Sequence, residues 1–177
     1  IAEAAAQKNM EPISFIAELL IQERNRVGIV GFAMDEGNLQ MVLSAPFVMV
    51  GSDGNAVAPY GKLGTGKPHP RFYGTFPRVL GKYARDEHIF DLATAIKKMT
   101  AMPARQLGLK KRGELQAGYY ADVVVFKADQ VKDNATFTDP HRYPEGIKHV
   151  LVNGVPTIDS GEHTGKTAGS FIRHGSA

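Results

Sequence analysis

One acidic side chain in this sequence follows directly after an apolar run. Residues 48–55 read VMVGSDGN, so Asp53 comes just after the Val-rich stretch 47–51. Continuous apolarity predicts a strand that is covered on both faces of a parallel sheet. Ligand sites in such proteins lie at the carboxyl ends of the strands, which makes Asp53 a candidate acid/base group. Gly54 permits a sharp turn and Ser52 adds a hydroxyl, although Asp before Gly is also common in plain turns.

A second candidate lies in the stretch KPHPRFYGTFPR, residues 67–78. Its first two prolines flank His69 and stiffen the chain just before Arg71. A rigid loop that presents a guanidinium fork is a good receptor for a carboxylate. The same composition also fits an ordinary surface loop. The six histidines form no H-x-H or H-E-x-x-H pair, so their spacing indicates no zinc site.

The elements around these candidates alternate between helices and short apolar runs. Helices are predicted over 1–26, 35–46 and 78–102, strands over 26–34 and 47–51, and an irregular connection over 55–77. The helices follow from apolar residues at helical spacing, and the connection follows from its many glycines and prolines. Asp35 is a candidate N-cap, and the last helix has a predicted break near Asp86. This alternation is typical of an α/β protein.

After about residue 110 the pattern changes from α/β to mostly β. The run 121–126 is rich in residues that favour strands. Asn153-Gly154 between alternating apolar residues predicts a hairpin.

Composition excludes several classes of protein. The 177 residues have a net charge of +3 with dispersed Lys and Arg, which argues against a nucleic-acid binder. No apolar run reaches the roughly 18 residues of a membrane span. The absence of cysteine excludes disulfides and thiolate metal sites and fits a cytoplasmic protein. The chain opens at Ile1 with a sequence typical of a helix interior, so we expect it to be cut from a longer protein.

Four stretches of this sequence, in order along the chain, resemble the C-terminal part of the D-aminoacylases, which are N-acyl-D-amino-acid deacylases of the amidohydrolase superfamily. These stretches are VMVGSDGN, HPRFYGTFPRVLGKYAR, AIKKMTAMPARQLGLKKRGELQAGYYADVVVF and HVLVNGVPTIDSGEHTGKTAGSFIRHG. GIVGFAMDEGN fits the same group. The SDG turn and the HPR…GTFPR stretch are the more specific of these motifs. The resemblance covers essentially the whole chain.

The resemblance implies an α/β fold in two parts. Residues 1–107 would be the C-terminal part of a catalytic (β/α)8 barrel, with 26–34 and 47–51 as its last two strands and 78–107 as its closing helices. Residues 108–177 would supply the C-terminal strands of a small β-sandwich domain. Two strands cannot close an eight-stranded barrel. The missing N-terminal barrel portion is therefore an expected partner of this chain.

The resemblance also implies a chemistry, the hydrolysis of the amide of an N-acyl-D-amino acid. Zinc would polarise the acyl carbonyl and activate water. Asp53 would take a proton from the attacking water and pass it to the leaving amine, and it is also a candidate metal ligand. Arg71 resembles the residue that binds the α-carboxylate of the small-molecule substrate. His69 and Tyr73 are assigned as its neighbours, and Ser52 and His69 are assigned to substrate binding.

The chain departs from the family pattern in its metal ligands. The H-x-H pair, the further histidines and the cysteine that such enzymes use are missing from this sequence. We therefore expect that the chain by itself neither binds zinc in catalytic geometry nor turns over substrate. Two alternatives stay open: another amidohydrolase, such as a hydantoinase-like or dihydroorotase-like cyclic amidase, and a non-catalytic folding module that forms a homodimer through exposed strand edges.

Overall fold

The computed structural model describes residues 1–29 and 31–174, and the chain divides into two units, Ile1–Ala33 and Met34–Ala177. The first unit holds helix α1, Ala2–Gln7, and helix α2, Pro12–Gln22. Together they confirm the helix predicted over 1–26, with a break between them. The Glu11 carboxylate starts α2 because it accepts the amide protons of Ile13 (2.9 Å) and Ser14 (3.2 Å). No helix of the described residues has the length and apolarity that a membrane crossing requires.

The second unit begins with a series of helices. They are α3, Glu36–Ser44; a 3₁₀ turn, Gly61–Gly64; α4, Arg71–Arg78; a π-helical segment, Val79–Asp86; α5, Leu92–Met99; and α6, Ala101–Gln106. Asp35 caps α3 as predicted, since its Oδ1 accepts the amide proton of Asn38 at 3.0 Å. The predicted break near Asp86 is also confirmed, because the π-helical segment ends there.

The prediction of an irregular connection over 55–77 is wrong from Arg71 onwards. Pro70 is already helical, with φ −51° and ψ −28°, and α4 begins at the next residue. The ring of proline fixes φ near the value of a helix start. The prolines that suggested a rigid loop therefore favour the beginning of a helix instead. Pro77 lies inside α4 and has no amide proton for the helical bond to Tyr73. The regular α pattern gives way to π-helical turns two residues later.

The sheet of this unit is antiparallel and has the order β1-β2-β3-β4. Its strands are β1, Val123–Phe126; β2, Ile147–Val152; β3, Val155–Asp159; and β4, Glu162–His163. The predicted hairpin is confirmed. Asn153 (φ +50°) and Gly154 (φ +80°) connect β2 to β3 in the left-handed conformations that a two-residue hairpin turn requires.

The two predicted barrel strands do not form. Residues 47–51 have no ladder partner among the described residues. Residues 26–29 and 31–34 have none either. The physical reason is the type of sheet. A parallel strand pairs only with strands that lie far away in sequence, whereas a hairpin strand finds its partner across a tight turn. The parallel partners that these apolar runs would need are not among the described residues.

The core of the second unit joins its helices to a loop and to the sheet. Fully or nearly buried side chains from α3, the π-helical segment, α5 and the loop around residue 131 form it: Leu43, Val79, Leu80, Tyr83, Ala84, Ala95 and Val131. Val50, from the unpaired run 47–51, is half-buried against this cluster. Arg85 Nη1 donates to the Val131 carbonyl at 2.8 Å and ties the π-helical segment to that loop. The run that leads to Asp53 therefore lies against a packed core although it has no ladder.

Candidate functional site

Asp53 lies in a tight turn at the end of the run 47–51. Its φ is +49°, a left-handed conformation that Asp tolerates better than most residues. The Ser52 hydroxyl accepts the amide proton of Gly54 at 3.2 Å, so Ser52 shapes the turn. A β-carbon on Gly54 would lie 3.1 Å from the Phe72 Cα, which shows how closely the turn approaches α4. The turn presents the Asp53 side chain to solvent, where it is 82% exposed.

Arg71, the first residue of α4, holds Asp53 with two groups. Its Nη2 lies 2.8 Å from the Asp53 carboxylate. Its Nε donates to the Asp53 backbone carbonyl at 3.1 Å. The guanidinium therefore fixes both the side chain and the main chain of a residue 18 positions earlier. This arrangement brings the two leading candidates of the sequence together and shows that the Arg71 fork can grip a carboxylate here.

His69 supports Arg71 from the preceding turn. Its Nδ1 accepts the Arg71 amide proton at 3.0 Å, so the neutral ring carries its proton on Nε2. The ring meets Phe137 edge to face, with centroids 5.0 Å apart. Burial and the nearby Arg71 charge lower the pKa of His69, and the Asp53 carboxylate opposes this shift. In this structure the His69 ring binds the amide of the first residue of α4, and its role in substrate binding stays a prediction.

Tyr73, two residues further along α4, belongs to a hydrogen-bond relay. His141 Nε2 donates to the Gly66 carbonyl at 3.1 Å, which leaves His141 Nδ1 to accept the Tyr73 hydroxyl proton at 2.8 Å. The Tyr73 ring also meets Tyr143 edge to face, with centroids 5.7 Å apart. Burial raises the pKa of the Tyr73 phenol, so it remains a donor near neutral pH. The relay ties α4 to the chain at Gly66 and His141.

The sequence reasoning missed two residues that support this site, His141 and Lys98. His141 lies far along the chain in a polar loop, and nothing in its local sequence points to Tyr73. Lys98 did leave a signal. It comes three residues after Ala95 in α5, on the face of the helix that Ala95 buries, and a charged residue there is unusual.

The described residues do not fit a zinc site. No group of three or more His, Asp or Glu side chains within residues 1–29 and 31–174 lies close enough to hold a metal ion. Asp53, the candidate ligand, is paired with Arg71, and among the described residues it belongs to no group of three or more possible ligands. A zinc ion in a protein usually has three or four such ligands.

Comparison with known proteins identifies the family. The model of the amidohydrolase family matches residues 7–158. The chain belongs to the amidohydrolase family. It is 43% identical to a D-aminoacylase from Alcaligenes xylosoxydans xylosoxydans, over 96% of this chain and 33% of that protein. It is 42% identical to an N-acyl-D-glutamate deacylase from the same organism, over 87% of this chain and 29% of that protein.

Solved structures of amidohydrolases agree with this assignment. A D-aminoacylase with a binuclear metal centre matches with a TM-score of 0.79 at 42% identity, over 94% of this chain and 32% of its own. N-acyl-D-glutamate deacylase from Bordetella bronchiseptica, solved with zinc and a phosphonate inhibitor, matches with a TM-score of 0.73 at 40% identity, over 88% of this chain and 30% of its own. The resemblance to the D-aminoacylases is confirmed, and the chain spans about a third of the length of these relatives.

Proposed function

We propose that this chain is the part of a zinc-dependent N-acyl-D-amino-acid deacylase that supplies its proton carrier and its carboxylate receptor. The Asp53–Arg71 pair carries this proposal, because a carboxylate and a guanidinium that suit those two roles are in contact at the protein surface. The amidohydrolase membership and the similarity to D-aminoacylase support it. The proposed reaction consumes an N-acyl-D-amino acid and water and yields a carboxylate and a free D-amino acid.

Asp53 is proposed as the acid/base group of this reaction. Its carboxylate would accept a proton from the attacking water while oxygen bonds to the acyl carbon, and would then donate that proton to the nitrogen as the C–N bond breaks. The exposed side chain can reach water and substrate. Zinc is included in the proposal because a related deacylase was solved with zinc. Because the described residues gather no ligand set for it, Asp53 and Arg71 carry the steps that this chain can perform.

Arg71 is proposed to bind the α-carboxylate of the substrate. In the structure its fork is occupied by Asp53, which also has a carboxylate. An arriving substrate carboxylate would compete for the same N–H donors, and the exchange would leave the Asp53 side chain free to meet water. The pair is partly exposed, so opening it costs little, about 1 kcal/mol or less.

A substrate panel with a charge-conserving variant tests the proposal. The intact enzyme should deacylate N-acyl-D-amino acids and should deacylate their methyl esters, which have no free carboxylate, much more slowly. Arg71→Lys should lower kcat/KM for the acids by roughly 10- to 100-fold, because a lysine loses the bidentate hydrogen bonds. Arg105→Lys, at an exposed arginine whose partner Glu114 lies outside the site, serves as the matched control. No release of amino acid, or an equal loss on acids and esters, would contradict the proposal.

Several finer expectations belong to the same proposal. They are the division into a barrel part, residues 1–107, and a sandwich part, residues 108–177; the role of 26–34 and 47–51 as the last two barrel strands once their partners are present; and a cytoplasmic location. Association of two copies through exposed strand edges is a further prediction. Light scattering on the 177-residue chain tests it, and a monomer would count against it.

A further inference from the structure

Lys98, in α5, is buried in an environment that offers it no negative charge. Its side chain is only 1% exposed. Within the described chain no carboxylate forms an ion pair with its ammonium group, whose Nζ instead donates to the backbone carbonyls of Ala45 (2.5 Å) and Val48 (2.9 Å). Burial lowers the pKa of the ammonium group. An ammonium group is costly to remove from water, so a lysine here needs a reason that packing alone does not supply.

The main chain of Lys98 also holds the same segment. Val50 donates its amide proton to the Lys98 carbonyl at 3.1 Å. Residues 45–50 are therefore bound to one position of α5 by three hydrogen bonds, two to the side chain and one to the main chain. Asp53 follows only three residues after Val50. Within the described chain residues 47–51 have no ladder, so these bonds help to fix the direction of the backbone there.

Arg71 depends on a separate set of supports. Tyr73 fixes α4 through His141, and Arg78, at the other end of α4, pairs with Asp133 at 3.2 Å. None of these contacts passes through Lys98. Apart from the direct bonds between Arg71 and Asp53, the two halves of the candidate site are thus held by different parts of the fold, and loss of the Lys98 bonds should displace residues 45–50 while α4 keeps its place.

We infer that Lys98 is a positioning residue that sets the place of Asp53 by binding the backbone of residues 45–50. The inference rests on the proposed function for its kinetic consequence. It predicts that Lys98 acts on the proton-transfer step and not on the binding of the substrate carboxylate.

Kinetics of Lys98→Met in the intact enzyme test this inference, with Lys97→Met as the matched control, since Lys97 is an exposed neighbour in the same helix. Methionine keeps the length of the side chain and removes its donors. We expect kcat to fall about 10- to 100-fold, the size of effect that a displacement of about 1 Å can produce. KM should change by less than about twofold, because Arg71 stays in place. Lys97→Met should match the unaltered enzyme.

Hydrogen exchange followed by mass spectrometry supplies a readout that needs no activity. In Lys98→Met the peptide that covers residues 45–54 should exchange faster, while the peptide that covers α4 should keep its rate. An unchanged kcat in a folded variant would overturn the inference, and so would a uniform rise in exchange over the whole chain with kcat and KM altered together. If Lys98→Met does not fold, Lys98→Gln, which retains a donor, is judged by the same criteria.

The two proposals fail in different ways. If Asp53→Asn is fully active, the proposed function falls, and the exchange pattern alone decides whether Lys98 holds the segment. If Asp53→Asn is inactive and Lys98→Met has the kcat of the unaltered enzyme, only the role of Lys98 falls.

Discussion

Two runs in the second unit each contain two valines and have different structures. Residues 47–51 read FVMVG and form no ladder, whereas residues 147–152 read IKHVLV and form β2, the second strand of the sheet. The second run pairs with β3 across a two-residue turn and with β1 on its other side. The first is fixed by Lys98 and by the half-buried side chain of Val50.

The difference shows what apolar composition can and cannot predict. A run of valines indicates a buried extended segment, but pairing depends on where the partner strand lies in the sequence. β2 meets its partner three residues away, so little loop entropy is lost when the pair closes. A parallel strand needs a partner that is distant in sequence. Without one, side-chain donors such as Lys98 can bind only some of its backbone carbonyls.

The largest expected effect is on kcat, and it compares an aspartate beside each run. Asp53 follows the first run and Asp159 ends β3, where it pairs with His149 at 3.0 Å. Asp53→Asn should lower kcat on N-acyl-D-amino acids by about 10²- to 10⁴-fold, the usual contribution of a general acid/base group. Asp159→Asn is the matched control and should keep kcat within about twofold. Equal losses in the two variants would remove the distinction between the runs.

A smaller effect should appear when the hairpin turn is strained. Gly154 has φ +80°, and an alanine there should lower the free energy of unfolding by about 1–2 kcal/mol. Gly169→Ala is the matched control, because a β-carbon at Gly169 meets open space and its φ is not left-handed. Denaturant unfolding compares the two variants, and hydrogen exchange should show faster opening of β2 and β3 than of 47–51. If both variants unfold alike, the turn does not determine the pairing.

The smallest effect concerns pH and the helix that precedes the unpaired run. Glu36, in the first turn of α3, accepts hydrogen bonds from Lys82 and from the Tyr83 hydroxyl (2.9 Å). The bond from Lys82 is the main cause that lowers the pKa of Glu36 below 4.5, against the opposing effect of burial. A lowered carboxyl pKa stabilises the folded state fully above the unfolded value, and this contribution disappears as the pH falls through the folded pKa.

The contribution of Glu36 should therefore be present above pH 4.5 and decline at lower pH. Since the side chain is 47% exposed, it should amount to about 1 kcal/mol or less. Chemical denaturation at several pH values measures it as the difference between the unaltered protein and Glu36→Gln. That difference should shrink in acid, while exchange in β2 and β3 stays unchanged. A difference that is constant with pH would contradict the assignment.

Much of the local structure could be predicted from short-range chemistry. Glu11 and Asp35 start helices through bonds to amides two or three residues away, and Asn153-Gly154 builds its turn from its own backbone preferences. The start of α4 at Arg71 was missed because proline before a helix and proline in a rigid loop look the same in sequence. The sequence did not reveal that 47–51 lacks a ladder, because pairing depends on a partner strand that lies elsewhere in the chain.

The candidate site divides in the same way. The sequence by itself determined that a carboxylate follows an apolar run, that an arginine follows two prolines, and that the motifs around both resemble the D-aminoacylases. Only the tertiary structure decided that the Arg71 fork reaches Asp53 across 18 positions, that His141 holds Tyr73, and that Lys98 is buried under residues 45–50. Caps and turns are hydrogen bonds within a few residues, whereas these contacts exist only after the core has packed the helices together.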